Sequence, residues 1–256
     1  MASENCGLTF ISYAQCFEDA VLYRALKDVE KGCYIDVGAN DPTTSSVTKA
    51  FYERAWRGIN VEPVRYWFER LLKERPGDIN LNVAAGATEG ALKLFEVVGS
   101  GLSTADATFA RRHQESGWTL AEYEVPMVSL NKICMEHKIQ QIHFLKIDVE
   151  GFEKQVLEGL DLTRFRPWII LAEATEPMTD VENWQDWEYL LLENDYSFSN
   201  FDGLNRFYFA NEHSQLAAIL SEPIEEFDCR RFEEIHCPCG EQNSGTAREV
   251  LGGRFL

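Results

Sequence analysis

CYIDVGANDP, residues 33–42, opens as a short, mostly apolar strand (Cys33–Val37) and breaks into a polar loop at Gly38. A run this short, bounded by turn signals, suits a strand better than a helix. Working outward, residues 45–56 (SSVTKAFYERAW) predict a helix opened by Ser and Thr caps. Gly58–Val61 (GINV) is a second strand stopped by Glu62-Pro63, residues 64–75 a second helix, and Ile79–Ala84 (INLNVA) a third strand. This β-α-β-α-β run predicts a parallel sheet with right-handed crossovers. Upstream, Phe17, Val21, Ala25 and Val29 recur at helical spacing, with Leu22 and Leu26 beside them, and predict a helix over 15–29.

Downstream, LKLFEVV and YEVPMVSL read as strands flanking a helical TADATFARRHQE. Ile142–Val149 (IHFLKIDV) is a strongly apolar strand followed by the helix GFEKQVLEGL, and Trp168–Glu173 is another strand, with a helix around 184–194. Tyr196–Phe201 and Arg206–Ala210 then flank Asp202-Gly203-Leu204-Asn205, a connection with turn chemistry. A dinucleotide-binding half would continue as β-α units. A terminal hairpin instead supplies an antiparallel seventh strand. The expected fold is α/β and Rossmann-like, a mostly parallel seven-stranded sheet over residues 1–222, with an irregular tail over 223–256.

The bulk numbers narrow the function. At 256 residues the chain suits one α/β domain. No apolar run reaches the roughly 18–20 residues that span a bilayer, and MASENCGLTF does not read as a signal peptide, so a cytoplasmic protein is expected. A net charge of −18 without any Lys/Arg run repels phosphate backbones and demotes nucleic acid as a partner. Seven scattered cysteines, an odd number, read as free thiols. Cys237-Pro238-Cys239 beside His236 lacks a second pair to complete a zinc site.

Three constellations carry chemistry. In open α/β sheets ligands bind beyond the carboxyl ends of the strands. There Gly38 lets backbone approach a ligand, and Asp36 can meet an ammonium. Asn40 and Pro42 replace the later glycines of a pyrophosphate-binding loop, which argues against NAD and FAD. S-adenosylmethionine (SAM), a sulfonium attached to an amino acid, needs no such loop. Glu62 ends the second strand, 26 residues after Asp36, where an acid can take both ribose hydroxyls. Lys146, Asp148 and Glu150 alternate at the end of an apolar strand, and period 2 puts them on one side if the strand persists. Glu173 ends the next strand and would point into the same crevice. Such acids can hold Mg²⁺, with Asp148 and Glu173 as candidate ligands, or act as a general base. Equally, Lys146–Asp148 reads as an ion pair and Glu150 as a helix-capping acid.

Taken together, Ser12-Tyr13-Ala14-Gln15 with Glu18-Asp19, YIDVGANDP, GINVEP, NVAAG, GLST, HFLKIDVEGFEKQVLEG and FDGLNRFYF resemble the FkbM family of SAM-dependent methyltransferases over roughly residues 10–210. The resemblance implies O-methyl transfer to a sugar, glycan building block or polyketide. It implies SAM contacts at Asp36, Gly38, Asn40 and Glu62, with Asp41 and Pro63 adjoining, and at Asn82, Val83, Ala84 and Asp148. The segment around Gln15 and Asp19 is similar to a family motif that covers the cofactor, with Phe17 where glycine is usual. Ser103 and Thr104, and Asp202 and Asn205, are expected to face the acceptor.

The reading is therefore a class I methyltransferase fold. SAM is the donor, with Mg²⁺ as a candidate second cofactor, and Asp148 or Glu173 orients or deprotonates an acceptor hydroxyl. The expected partner is a small-molecule or glycan acceptor, with the oligomeric state undetermined. Two alternatives stay open: a nicotinamide-dependent oxidoreductase, and a catalytically silent SAM-fold module in a glycan-assembly complex.

Overall fold

In the computed structural model, which describes residues 10–224 and 229–232, Cys33–Val37 (β1) sends alternate side chains to opposite faces. Ile35 and Val37 enter one apolar cluster and Tyr34 another. A strand buried on both sides needs helices on both. The other strands of its sheet are β2 (Arg57–Val61), β3 (Ile79–Leu81), β4 (Phe144–Ile147), β5 (Ile169–Glu173), β6 (Tyr196–Phe201) and β7 (Asn205–Ala210). Their order is β6-β7-β5-β4-β1-β2-β3. β1 pairs in parallel with β2 and β4, as do β2 with β3 and β4 with β5. The hairpin strand β7 slots between β5 and β6, antiparallel to both. This is a large, mostly parallel sheet, consistent with a methyltransferase fold.

The helices divide between the two faces. Leu130 and Ile133 of α5 (Leu130–Glu136), Val156 and Leu157 of α6 (Glu153–Glu158) and Leu191 of α7 (Glu188–Leu192) cover the Ile35 face. Val21 and Leu22 of α1 (Glu18–Ala25), Phe51 of α2 (Lys49–Glu53) and Leu216 and Leu220 of α8 (Leu216–Ser221) cover the Tyr34 face. Phe144 is fully buried there, so truncation to alanine costs roughly 3–5 kcal/mol. After β3 the chain returns to place β4 beside β1, so strand order reverses between them. The crevice at that reversal is where open α/β sheets bind ligands.

Several elements are shorter than the sequence predicts, for local reasons. The helix expected over 15–29 starts only at Glu18, because Phe17 has a left-handed backbone (φ 63°). The helix expected over 45–56 is confined to Lys49–Glu53 between left-handed Ser45 (φ 54°) and Ala55 (φ 63°). The strand expected over 79–84 splits. Asn82 donates its side-chain amide to the carbonyls of Glu62 and Pro63, both at 2.9 Å, and turns the chain out of the sheet. Ala84–Ala85 then joins Leu120–Val128 and Gly90–Val97 in a separate three-stranded sheet, with α4 (Ala107–Glu115) inserted in its hairpin. Within the stretch read as an irregular tail, Cys229–Arg231 pairs in parallel with Phe10–Ser12. Cys237 and Cys239 lie outside the described residues. Among the described residues no helix is long and apolar enough to cross a membrane.

Candidate active site

A cavity of about 600 Å³ opens beyond the carboxyl ends of β1, β2, β4 and β5. Its floor is set by β1. Gly38 has φ 76°, and a Cβ there would lie 1.8 Å from the Asp148 carbonyl oxygen. The glycine is thus required first by the close approach of the chain leaving β4, and second by any ligand. Asn40 follows, also left-handed (φ 48°), with its Oδ1 buried and without a partner.

Glu62 lines the cavity just past the end of β2, 4% exposed. Its carboxylate accepts the backbone N–H of Asn40 at 2.8 Å and that of Val64 at 2.7 Å, so one side chain ties the β1 loop to the start of α3 (Arg65–Glu74). Burial pushes this carboxyl up to about 7, against those two bonds and Lys146. Beside it Pro63, Val64, Trp67, Ala84, Leu92 and Leu94 form an apolar slot. Alternation along Gly90–Val97 turns Leu92 and Leu94 to the same side.

On the other side of the floor, Asp36 and Lys146 are direct register partners across β1 and β4. Asp36 is 2% exposed and absent from the cavity lining. Its carboxylate accepts the Thr48 hydroxyl at 2.8 Å and stands 3.4 Å from the Lys146 ammonium. Its position under the floor leaves its charge to Lys146 and Thr48. Lys146 also reaches Asp148 at 3.4 Å and donates to the Gly38 carbonyl at 2.8 Å. Burial opposes its charge, but Asp148 and Asp36 outweigh it and raise its pKa.

Asp148, Glu150 and Glu173 come together, with one carboxylate oxygen of each within 4.8 Å of the others. Strand alternation does not do this, because β4 ends at Ile147. A loop does. Glu150 (φ 54°) and Gly151 (φ 97°) are consecutive left-handed residues. The Glu153 carboxylate holds them by accepting the N–H groups of Val149 and Gly151, and Thr104 donates its hydroxyl to the Glu150 carbonyl at 2.7 Å. Glu173 is raised well above the usual carboxylate range, by burial first and then by the charges of Glu150 and Asp148.

The remaining expected residues divide. Gln15, Ser103 and Asn205 line the cavity. Asp19 does not. It turns inward to accept the Ser12 hydroxyl at 2.6 Å and the Tyr13 N–H at 2.7 Å. Its neighbour Glu18 faces the cavity instead, accepting from the Asn205 amide at 3.0 Å. Asp41 caps Thr43 and Thr44 and pairs with Arg70. Asp202 holds the hairpin turn by accepting the N–H groups of Leu204 and Asn205. Asn82, Val83 and Thr104 also stand outside the lining. Sequence reasoning missed Glu18, Trp67, Leu92, Leu94, Trp118 and Met178. Trp67 carried a signal, four residues past the Glu62-Pro63 stop.

Among curated proteins none matches the chain. A family model described as the methyltransferase FkbM domain matches residues 36–198, which contain Gly38, Glu62, the loop that gathers Asp148 with Glu150, and Glu173. That match spans more than half of the 256 residues, and the chain belongs to the FkbM methyltransferase family.

Proposed function

We propose that the protein is a SAM-dependent O-methyltransferase of the class I fold, acting in the cytoplasm on a hydroxyl of a sugar, glycan or polyketide-type small molecule. One observation carries the reading. A single cavity joins an apolar slot beside the Glu62 carboxylate to a carboxylate cluster beyond β4 and β5. The slot suits a flat base, and Glu62 beside it suits ribose hydroxyls. The unpartnered Asn40 Oδ1 suits an ammonium donor. The cavity lies within the range for small-molecule sites. The reversed β7 supports the class I assignment.

SAM, when bound, supplies a methyl group on sulfonium. This chain's part is to position an acceptor oxygen in line with it and to receive the hydroxyl proton. Asp148, whose side chain is 35% exposed, is the acid an acceptor reaches first. Glu173, 5% exposed, is the more buried of the two. The net charge of −18 supports an acceptor other than nucleic acid. The thiols of Cys33 and Cys134, free among the described residues, support a reducing compartment.

Calorimetry tests the donor. SAM and S-adenosylhomocysteine bind with saturable heats, and NADH gives none. Binding of NADH without SAM overturns the proposal in favour of the oxidoreductase. SAM binding without turnover on any hydroxylated acceptor would leave the silent SAM-fold module as the better account.

A further inference from the structure

We propose that Asp148, Glu150 and Glu173 form a binding site for one hard divalent cation of the Mg²⁺/Mn²⁺ class. The proposal rests on the carboxylates themselves and holds whether or not SAM is the methyl donor.

The first observation is convergence. One oxygen from each of the three side chains lies within 4.8 Å of the other two. Ligand oxygens at about 2.1 Å from Mg²⁺ or about 2.4 Å from Ca²⁺ stand at most about 4–5 Å apart, so all three fit on one ion. The donors are all carboxylate oxygens, with no His or Cys among them, which selects hard cations over zinc or copper.

The second observation is independent of the clustering. Glu173 is 5% exposed, lines the cavity, and its Oε2 is buried without a hydrogen-bond partner. A carboxylate placed so deep is costly unless something positive reaches it. Asp148, the side chain within hydrogen-bonding reach of Glu173, brings a second negative charge and not a positive one, and the other polar neighbours do not supply it either. Asn205, its direct register partner on β7, turns its amide to Glu18 and Asp202. Lys146 divides its ammonium among Asp36, Asp148 and the Gly38 carbonyl. An ion at the convergence point would supply the missing charge to Glu173. The more open Asp148 edge would leave coordination positions for water or an acceptor oxygen. An alternative answer to the same burial is a proton held by Glu173, and the experiment separates the two.

Mn²⁺ is the probe, added to the full chain at physiological ionic strength and read by electron paramagnetic resonance and calorimetry. One saturable site per chain is expected, competed by Mg²⁺. Glu173→Gln and Asp148→Asn should each weaken it at least about tenfold. Glu122→Gln, at an exposed acid in an ion pair with Lys93, should leave it unchanged and so controls for the acidic surface. Asp148→Asn changes a part-exposed side chain and keeps the test valid if Glu173→Gln fails to fold. Absence of a saturable site in the wild type overturns the proposal, as does a site that survives both substitutions. Greater thermal stability of Glu173→Gln without Mn²⁺ binding would assign the position to a retained proton. SAM affinity, measured in parallel, reports on the donor reading separately.

Discussion

The Glu62 carboxylate accepts the backbone N–H of Asn40 at 2.8 Å, so the acid that ends β2 also holds the loop that leaves β1. Its second oxygen accepts from Val64 at 2.7 Å, so removing the side chain takes away both bonds. Glu62→Ala is expected to weaken SAM binding by roughly 1.5–3 kcal/mol and to lower folding stability by about 1–3 kcal/mol. Calorimetry and urea unfolding measure the two separately. Loss of stability with unchanged SAM affinity would confine Glu62 to holding the loop.

Asp148→Asn is nearly isosteric and part-exposed, so the fold should survive. Turnover on the true acceptor should fall on the order of 10²-fold or more, the usual contribution of a positioned base or ion ligand. A folded variant with near-normal turnover would leave Asp148 only its ion pair with Lys146.

Stability without ligands should decline as pH rises. Burial pushes Asp19 up to about 6, Glu62 to about 7 and Glu18, with help from Asp202, to about 8. In the unfolded chain these groups release their protons near 4. Between about 4 and 8 the folded protein therefore binds more protons than the unfolded one. Their stabilising contribution is complete below pH 4 and is lost progressively through 6, 7 and 8. Thermal unfolding between pH 5 and pH 8 should show a falling midpoint. A midpoint that rises over that window contradicts the burial of these three carboxyls.

Removal of residues 223–256 should leave the seven-stranded sheet folded but loosen residues 10–18. Cys229–Arg231 pairs with Phe10–Ser12, Arg231 donates to the Gln15 carbonyl at 3.0 Å, and Arg24 donates to the Pro223 carbonyl at 3.0 Å. Hydrogen exchange should report lost protection at Ile11–Tyr13, with SAM affinity reduced several-fold because Gln15 and Glu18 line the cavity. Unchanged exchange there would show that the terminal strand adds nothing to that edge.

Much of the fold was legible because β1, β4 and β5 are short apolar runs separated by helical spacing, and because Asp202-Gly203 announces the hairpin that reverses β7. Glu62 and Asp148 directly follow β2 and β4 and Glu173 is the last residue of β5, so their place at the crevice was legible, whereas the left-handed loop that brings Glu150 to them was not. That Asp36 stands outside the cavity lining was not legible, because strand-end position does not tell which face a side chain takes. Its parity with Tyr34 sends it toward Thr48 and Lys146. Asp19 was read in place of Glu18 because the left-handed turn at Phe17, which shifts the helix start, leaves no sure mark in a sequence. The slot formed by Leu92, Leu94 and Trp67 depends on how a separate small sheet leans over the crevice, and local periodicity carries no such information.

The meeting of Gly38 with the Asp148 carbonyl has a bearing on how this enzyme could be re-engineered. With 1.8 Å between that oxygen and any added Cβ, the two loops are interlocking parts whose relative placement has no slack. Val37 adds a second tie by accepting the Asp148 N–H at 3.1 Å. Exchanging one loop with that of a relative, to change what the enzyme modifies, would import a mismatch against the loop left behind. Residues 36–41 and 146–151 are a cassette, to be transplanted as a pair or left alone.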